Sequence, residues 1–298
     1  MASAAEAIAT RKSRKKSSFN FLGFIGRLFM YLILIIGAII CLFPFFWMVS
    51  TALMTLGETI NRKLFPEVPQ WINFVDAWKQ AKFGKYFLNS VLTTLGTLTG
   101  LLFTSILAGY AFGRVKFAGK NFLFAIFLAT MMIPASVTLI PNYMIIRGNV
   151  IPLPGGSWIN SYWALTVPFM ANAFSIFLLK QFFAQIPHEL WDAARIDGCD
   201  HLRFLIQIVL PISKAPVMTV VLFGFTFAWN SFAWPLLVTT KDTWRPLMVG
   251  LWTFVTEAGP ETHLLMAGAV ISLVPVLIVY FITQKQFTQG IATTGLKG

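Results

Sequence analysis

Charge is what this sequence has least of. Of 298 residues only 11% are Asp, Glu, Lys or Arg, less than half of the roughly one quarter carried by ordinary globular domains. With 57% of its residues hydrophobic and 15% aromatic, a chain of this size has too few polar groups to cover a water-facing surface, which excludes a soluble globular protein. Cysteine is nearly missing. Cys41 and Cys199 alone make neither a disulfide framework nor a metal site, which needs more ligands at tighter spacing. Acidic residues are outnumbered, 11 against 23 Lys and Arg, for a formal charge of +12. Nucleic acid is nevertheless not the expected partner, because the charges are grouped between long apolar stretches.

Catalytic signatures are also lacking. The nearest approach to a phosphate loop runs from Gly113 to Gly119-Lys120-Asn121. A true loop of that kind has four residues between its glycines and Ser or Thr after the lysine, whereas here there are five residues, followed by asparagine. No His-Glu-x-x-His zinc pattern and no nucleophile elbow occurs. The chain is therefore not expected to be an enzyme, and any nucleotide chemistry belongs to another subunit.

What is present is a set of uncharged stretches: Leu28 to Gly57, Tyr86 to Gly113, Asn121 to Ile146, Gly148 to Leu179, Ala215 to Thr240, and Thr262 to Gln284. Each exceeds the ~20 apolar residues a helix needs to cross a bilayer. Lipid offers the backbone no hydrogen-bond partner, so helices are expected, and the short alternating segments of a barrel are missing. The reading is an all-α polytopic protein with spans at 28–50, 87–109, 121–141, 161–183, 215–237 and 263–284. A basic segment (1–27) precedes this six-helix domain (28–285), and a tail (286–298) follows it. Fifteen of the 23 lysines and arginines fall on the termini and on the second–third and fourth–fifth connections, which places those parts in the cytoplasm. The first apolar stretch is too long for a cleaved signal peptide. The Arg11–Lys16 cluster reads as a topology signal, the alternative being contact with anionic lipid.

Carriers coupled to protons or sodium bury ionisable side chains in their spans. The six stretches hold no Asp, Glu, Lys or Arg. A self-sufficient carrier or channel for a polar solute, the alternative reading, thus has no visible coupling residue.

The most informative segment is cytoplasmic, Pro187 to Pro211. Pro187 suits the first position of a helix, and Glu189 and Asp192 suit its positive end. Gly198 can end that helix in the left-handed conformation, and Asp200 can cap the next. Ala193 and Ala194 are expected to leave a small-residue surface open to close approach by a partner. The spacing Asp192-Ala193-Ala194, three residues, Gly198, nine residues, Ile208-Val-Leu210-Pro211 resembles the loop of permease subunits of binding-protein-dependent ABC importers. Aspartate stands where that family carries glutamate. Asn89-Ser90, Ala108 to Arg114, Met132-Ile-Pro134, Ile140-Pro-Asn-Tyr143, Ile186 to Leu190, Ile196-Asp197-Gly198 and Trp229-Asn230 with Trp234-Pro235 are similar to the smaller permease of the carbohydrate, maltose-type branch.

That resemblance implies a type I importer permease fold with both termini cytoplasmic, in a prokaryotic inner membrane. It implies a loop of Glu189, Asp192, Ala193, Ala194, Asp197 and Gly198 docked on an ATPase subunit dimer, which would bind the ATP and magnesium. The other partners implied are a second permease, an external solute-binding protein and a carbohydrate substrate. Beside it stands the reading of the residues themselves. Asn89, Asn172 and Asn230 are polar groups inside spans, either tying helices together or lining a pathway, and Trp229 and Trp234 are either sugar-stacking faces or interfacial anchors. Pro44, Pro134, Pro168, Pro235 and Pro275 mark kinks, and Gly100, Gly109 and Gly268 mark close helix contacts. The 58–85 segment is expected to form a short surface helix.

Overall fold

The structure is a computed structural model that describes residues 21–256 and 259–294, with side-chain surroundings for 25–255 and 259–284. Arg11–Lys16 lies outside the described residues. Two units are distinguished, residues 1–48 and residues 49–298. The first consists, where described, of most of helix α1 (Phe21–Ala52). Residues 25–46 of this helix are exposed on every face, and so uniform an apolar surface is that of a helix whose solvent is lipid.

The second unit is helical apart from a two-residue antiparallel ladder, Val255–Thr256 against Gly259–Pro260, a small departure from the all-α expectation. After α1 come α2 (Leu56–Ile60), α3 (Ile72–Gln80) and α4 (Phe83–Arg114). Then follow α5 (Lys120–Ala129), α6 (Ala135–Ile146), α7 (Tyr162–Thr166) and α8 (Ala173–Ala184). The loop segment holds α9 (His188–Ile196), α10 (His201–Phe204), a π turn over Leu205–Val209 and α11 (Leu210–Ile212). The chain ends with α12 (Lys214–Trp229), α13 (Ala233–Val238), α14 (Leu247–Leu251) and α15 (Thr262–Thr294).

Among the described residues, three helices are each long and apolar enough to cross a membrane: α1 over Ile25–Ala52, α4, and α15 over Thr262–Gln284. The other expected spans are broken. The 121–141 span is two helices bent by 101°. Pro134, lacking an N–H, interrupts the ladder, and Ile133 before it is forced into extended backbone (φ −83°, ψ 116°). The 161–183 span bends by 41° between Phe169 and Ala173, where Pro168 sits in a 3₁₀ turn and Asn172 caps the next helix through Ser175 N–H. The 215–237 span stops at Trp229 and resumes at Ala233, and its start turns by 84° from the preceding segment 201–212. At the C-terminal side α15 continues to Thr294, into the 286–298 segment.

The 58–85 segment forms α2 and α3 rather than one helix. Thr55 and Glu58 make a reciprocal capping box on α2. Glu58 also accepts from Glu67 N–H at 2.8 Å, and the backbone donors of Glu67 and Thr55 hold its carboxyl below the usual range.

Three apolar clusters organise the unit. One joins α3, the start of α4, the end of α12, α14 and α15 around Phe83, Trp229 and Phe254. A second joins the end of α4 with α8 and the α9–α10 loop around Phe183 and Phe204. The third surrounds Trp234. Close approach of α4 and α8 depends on glycine. A Cβ on Gly109 would lie 3.0 Å from Leu179 Cβ and 3.3 Å from the Lys180 backbone nitrogen. Gly109→Leu is therefore expected to overpack this contact by about 1–3 kcal/mol. Thermal unfolding of the detergent-solubilised protein should show a clear fall in midpoint for Leu and a smaller one for Ala.

Candidate functional site

The loop segment folds as a helix, a left-handed glycine and a second helix. Gly198 has φ +75°, and its N–H reaches Arg195 C=O while Cys199 N–H reaches Ala194 C=O at 2.9 Å. This is the paired bonding that closes a helix around a C-terminal glycine. Asp200 then caps α10, accepting from Arg203 N–H at 2.8 Å. Pro187 stands one position before the first helical residue rather than in it.

One face of this hairpin is docked. The Trp191 ring stacks on His201 at 4.2 Å and 11° between planes. His201 Nδ1 shares a hydrogen bond of 2.8 Å with the Tyr110 hydroxyl, near the end of α4. Arg114, one turn further along α4, donates to the Ile186 and Pro187 carbonyls and lies 6.0 Å from the centre of the Phe204 ring. Phe204 itself is fully buried. Ala194 also turns inward, into the same cluster. Of the two alanines expected to form an open small-residue surface, only Ala193 remains exposed. Residues 191 and 194 lie three apart and so share a helix face, and that face is the docked one.

The other face is free. Glu189, Asp192, Asp197 and Gly198 are exposed, and no ion pair among the described residues involves the three carboxylates. Beside them Ile196 is 88% exposed. Ile196 enters the sequence reading only within the Ile196-Asp197-Gly198 match and not as a residue of the contact surface. That reading also missed Tyr110, Arg114 and His201 as a docking set; the i, i+4 spacing of Tyr110 and Arg114 hinted at a common face, but nothing in the sequence points to His201.

The candidate pathway residues are not gathered in one place. Asn89 is buried and donates to the Thr243 and Arg245 carbonyls at 3.1 and 3.0 Å. Trp229 is buried, donates to Ser272 C=O at 3.0 Å and stacks on Phe225. Trp234 is buried and donates to Ala164 C=O at 2.9 Å. These three tie helices and loops together, and neither tryptophan presents an open ring face. Asn172 caps α8 and lines a cleft with Thr97, Phe169, Phe223 and Phe227. An adjoining cleft adds Thr93, Pro235 and Ser231, next to the exposed Asn230. Both clefts open at helix breaks, after Phe169 and after Trp229. The buried run Asn89, Ser90, Thr93, Thr94, Thr97 on α4 recurs at intervals of three and four, a helical stripe readable in the sequence but not singled out there. Among the described residues no group of three or more His, Cys, Asp or Glu has the arrangement of a metal site.

At the Lys82 end of α4, Lys82 Nζ meets Asp242 at 2.6 Å, and Arg245 approaches the same carboxylate at 3.5 Å. Ser90 Oγ accepts from Leu247 N–H at 2.8 Å, and Tyr86 packs against Gly250, where an added Cβ would lie 2.5 Å from its ring. The 239–250 segment is thus held on α4.

A sequence profile described as "Binding-protein-dependent transport system inner membrane component" matches residues 100–293, which takes in the second half of α4, the hairpin and most of α15. This chain belongs to that family. It is 34% identical over 270 residues, 90% of this chain and 96% of the other, to the putative ABC transporter permease protein ORF2 of Caldicellulosiruptor sp. (strain Rt8B.4). It is 30% identical to the sn-glycerol-3-phosphate transport system permease protein UgpE of Yersinia enterocolitica serotype O:8 / biotype 1B (strain NCTC 13174 / 8081), covering 89% and 95% of the two chains. A chain from the crystal structure of a bacterial ABC transporter importing the acidic polysaccharide alginate matches with TM-score 0.75 at 23% identity, over 88% of this chain and 96% of that one. The fold is therefore that of an importer permease, and this permease is a component of a binding-protein-dependent transport system.

Charge at the Lys82 end of the permease gives a pH prediction. Asp242 is held below the ordinary carboxylate range, first by the Lys82 ammonium and then by the Tyr86 hydroxyl, and Lys82 is raised by Asp242. A depressed carboxylate contributes stability above its unfolded value of ~3.9 and loses it as pH falls through the depressed folded value. The raised lysine contributes below its unfolded value of ~10.4 and loses that as pH rises through its folded one. Asp242→Asn should therefore flatten the acid limb of thermal stability measured from neutral pH downward, while the parent protein loses stability there.

Proposed function

We propose that this chain is the smaller permease subunit of an ATP-driven importer of carbohydrate or a closely similar polyhydroxylated solute. The reading has six spans, with each bent pair counted as one, and both termini in the cytoplasm of a prokaryotic cell whose inner membrane holds the protein. The lysine and arginine distribution supports the orientation. A second permease completes the pathway, and an external binding protein delivers the solute. ATP and magnesium act on a separate ATPase dimer, so this subunit is non-catalytic. Its substrate class draws on relatives named for sn-glycerol-3-phosphate transport and on an alginate importer.

The observation that carries this reading is the two-sided hairpin. One face is fastened to α4 through Tyr110, Arg114 and Phe204, while the other presents Glu189, Asp192, Ala193, Asp197 and Gly198 around the bare Ile196 side chain. An exposed apolar side chain among charged neighbours is the kind of anchor that a partner's pocket takes up. ATP-driven closure of the ATPases would move the hairpin and switch the helices between inward- and outward-facing states. The solute would pass the clefts at the helix breaks, near Thr97, Asn172, Ser231 and Asn230. Asn89, Trp229 and Trp234 would serve as ties that keep those breaks in place. The 58–85 segment, with Trp71 at 69% exposure, is a candidate contact for the binding protein.

Affinity purification of the tagged chain from native membranes tests the assignment. The expected result is co-purification of a nucleotide-binding subunit and a second permease. Both Gly198→Trp and Ile196→Asp should lose the nucleotide-binding subunit at least tenfold while the second permease is retained. A homo-oligomer that transports solute in liposomes without ATP would contradict the proposal and favour a self-sufficient carrier.

A further inference from the structure

From the placement of its contacts, we infer that α4 is the transmission element of the permease, joining the hairpin at its Arg114 end to the 239–250 segment at its Lys82 end; this rests on the proposed role of the hairpin. Three observations meet on α4. It is a single helix of 32 residues, about 48 Å long at 1.5 Å per residue. Of the three helices long enough to cross the membrane singly, it alone has no internal proline: α1 contains Pro44 and α15 contains Pro275. Both of its ends are fastened by directional polar contacts to segments remote in sequence.

At one end, Tyr110 and Arg114 hold His201 and the Ile186 and Pro187 carbonyls, with Trp191 stacked on the same imidazole. At the other, Asn89 holds two carbonyls, Ser90 holds Leu247 N–H and Lys82 holds Asp242. Of the two covalent routes from hairpin to membrane helices, the one after the hairpin is softer. It leads through the π turn at Leu205–Val209 and an 84° bend before α12, and such irregular turns are where helices yield. The neighbouring paths through α5–α6 and α7–α8 bend by 101° and 41°. A push on the hairpin therefore reaches the far side of the membrane chiefly through the docked imidazole and guanidinium and along α4. Tyr110, Arg114 and His201 are positioning residues at one end, and Asn89 and Ser90 at the other. By linkage the coupling is reciprocal: what displaces the 239–250 segment biases the hairpin.

The test uses the intact complex with its ATPase, reconstituted in lipid nanodiscs. Cys41→Ser and Cys199→Ala remove the native thiols, and Lys241→Cys places a reporter thiol on the exposed far segment. The rate of its reaction with a membrane-impermeant maleimide is measured at rest and after trapping with MgATP and vanadate. The parent is expected to change rate severalfold on trapping. Tyr110→Phe, which removes only a hydroxyl, and His201→Ala should each shrink that change at least threefold, with the ATPase still bound and hydrolysing ATP. Asn89→Ala should do the same, and the pair His201→Ala with Asn89→Ala should lose no more than the larger single effect, as for two links in one chain. A trapped change preserved in all three single variants, or losses that multiply in the pair, would overturn the inference. A parent complex lacking an ATPase would instead contradict the reading on which it rests.

Discussion

The docking of one imidazole decides how the cytoplasmic hairpin relates to the membrane helices. His201 sits between the Tyr110 hydroxyl and the Trp191 ring, so α10, α9 and α4 are fixed by a single side chain. Around it, Arg114 donates to the carbonyls of Ile186 and Pro187, just ahead of the helix that begins at His188. With that face closed, the remaining face of α9 is free to be a partner surface, and its exposed isoleucine and carboxylates follow from geometry rather than from composition.

The same logic of satisfied backbone groups explains the contacts of Asn89, Trp229 and Trp234. Lipid supplies no hydrogen bonds, so a carbonyl freed at a helix break must find a protein donor. The loop carbonyls of Thr243 and Arg245 find Asn89, while Ala164 and Ser272, on neighbouring helices, accept from Trp234 and Trp229. Breaks of this kind are tolerated where they border protein or a wet cavity, and the clefts at Phe169–Asn172 and Trp229–Ser231 are such places. Asn89 on α4 provides one set of these ties, and Trp229 and Trp234 on α12 and α13 provide the others.

Much of this was legible in the sequence. The absence of charge delimited the apolar stretches, and the Asp-Ala-Ala…Gly spacing located the hairpin, including its left-handed glycine and the Asp200 cap. The helix breaks were less legible. An uncharged run of 20 residues reads the same whether straight or bent, and Pro134 marked its bend only as one of several prolines, others of which lie inside continuous helices. The inward turn of Ala194 and the use of His201 depend on contacts between residues 91 positions apart, as for Tyr110 and His201, which no local pattern encodes. Trp229 and Trp234 were ambiguous in the sequence for a related reason: an aromatic beside a span is equally at home against lipid, sugar or another helix.

The account turns on α4 and the hairpin moving as one body, and a distance measurement addresses this most directly. Spin labels at Arg203→Cys and Lys85→Cys, with Cys41 and Cys199 replaced, span from the hairpin to the far end of α4. Pulsed electron resonance on the complex at rest and trapped with MgATP and vanadate should give superimposable distance distributions for this pair, while a pair from Arg203→Cys to Lys241→Cys on a separately trapped sample reports whether the far segment follows. A shift of the first pair by about one helical turn, ~5.4 Å, would show the hairpin sliding on α4 and contradict the account.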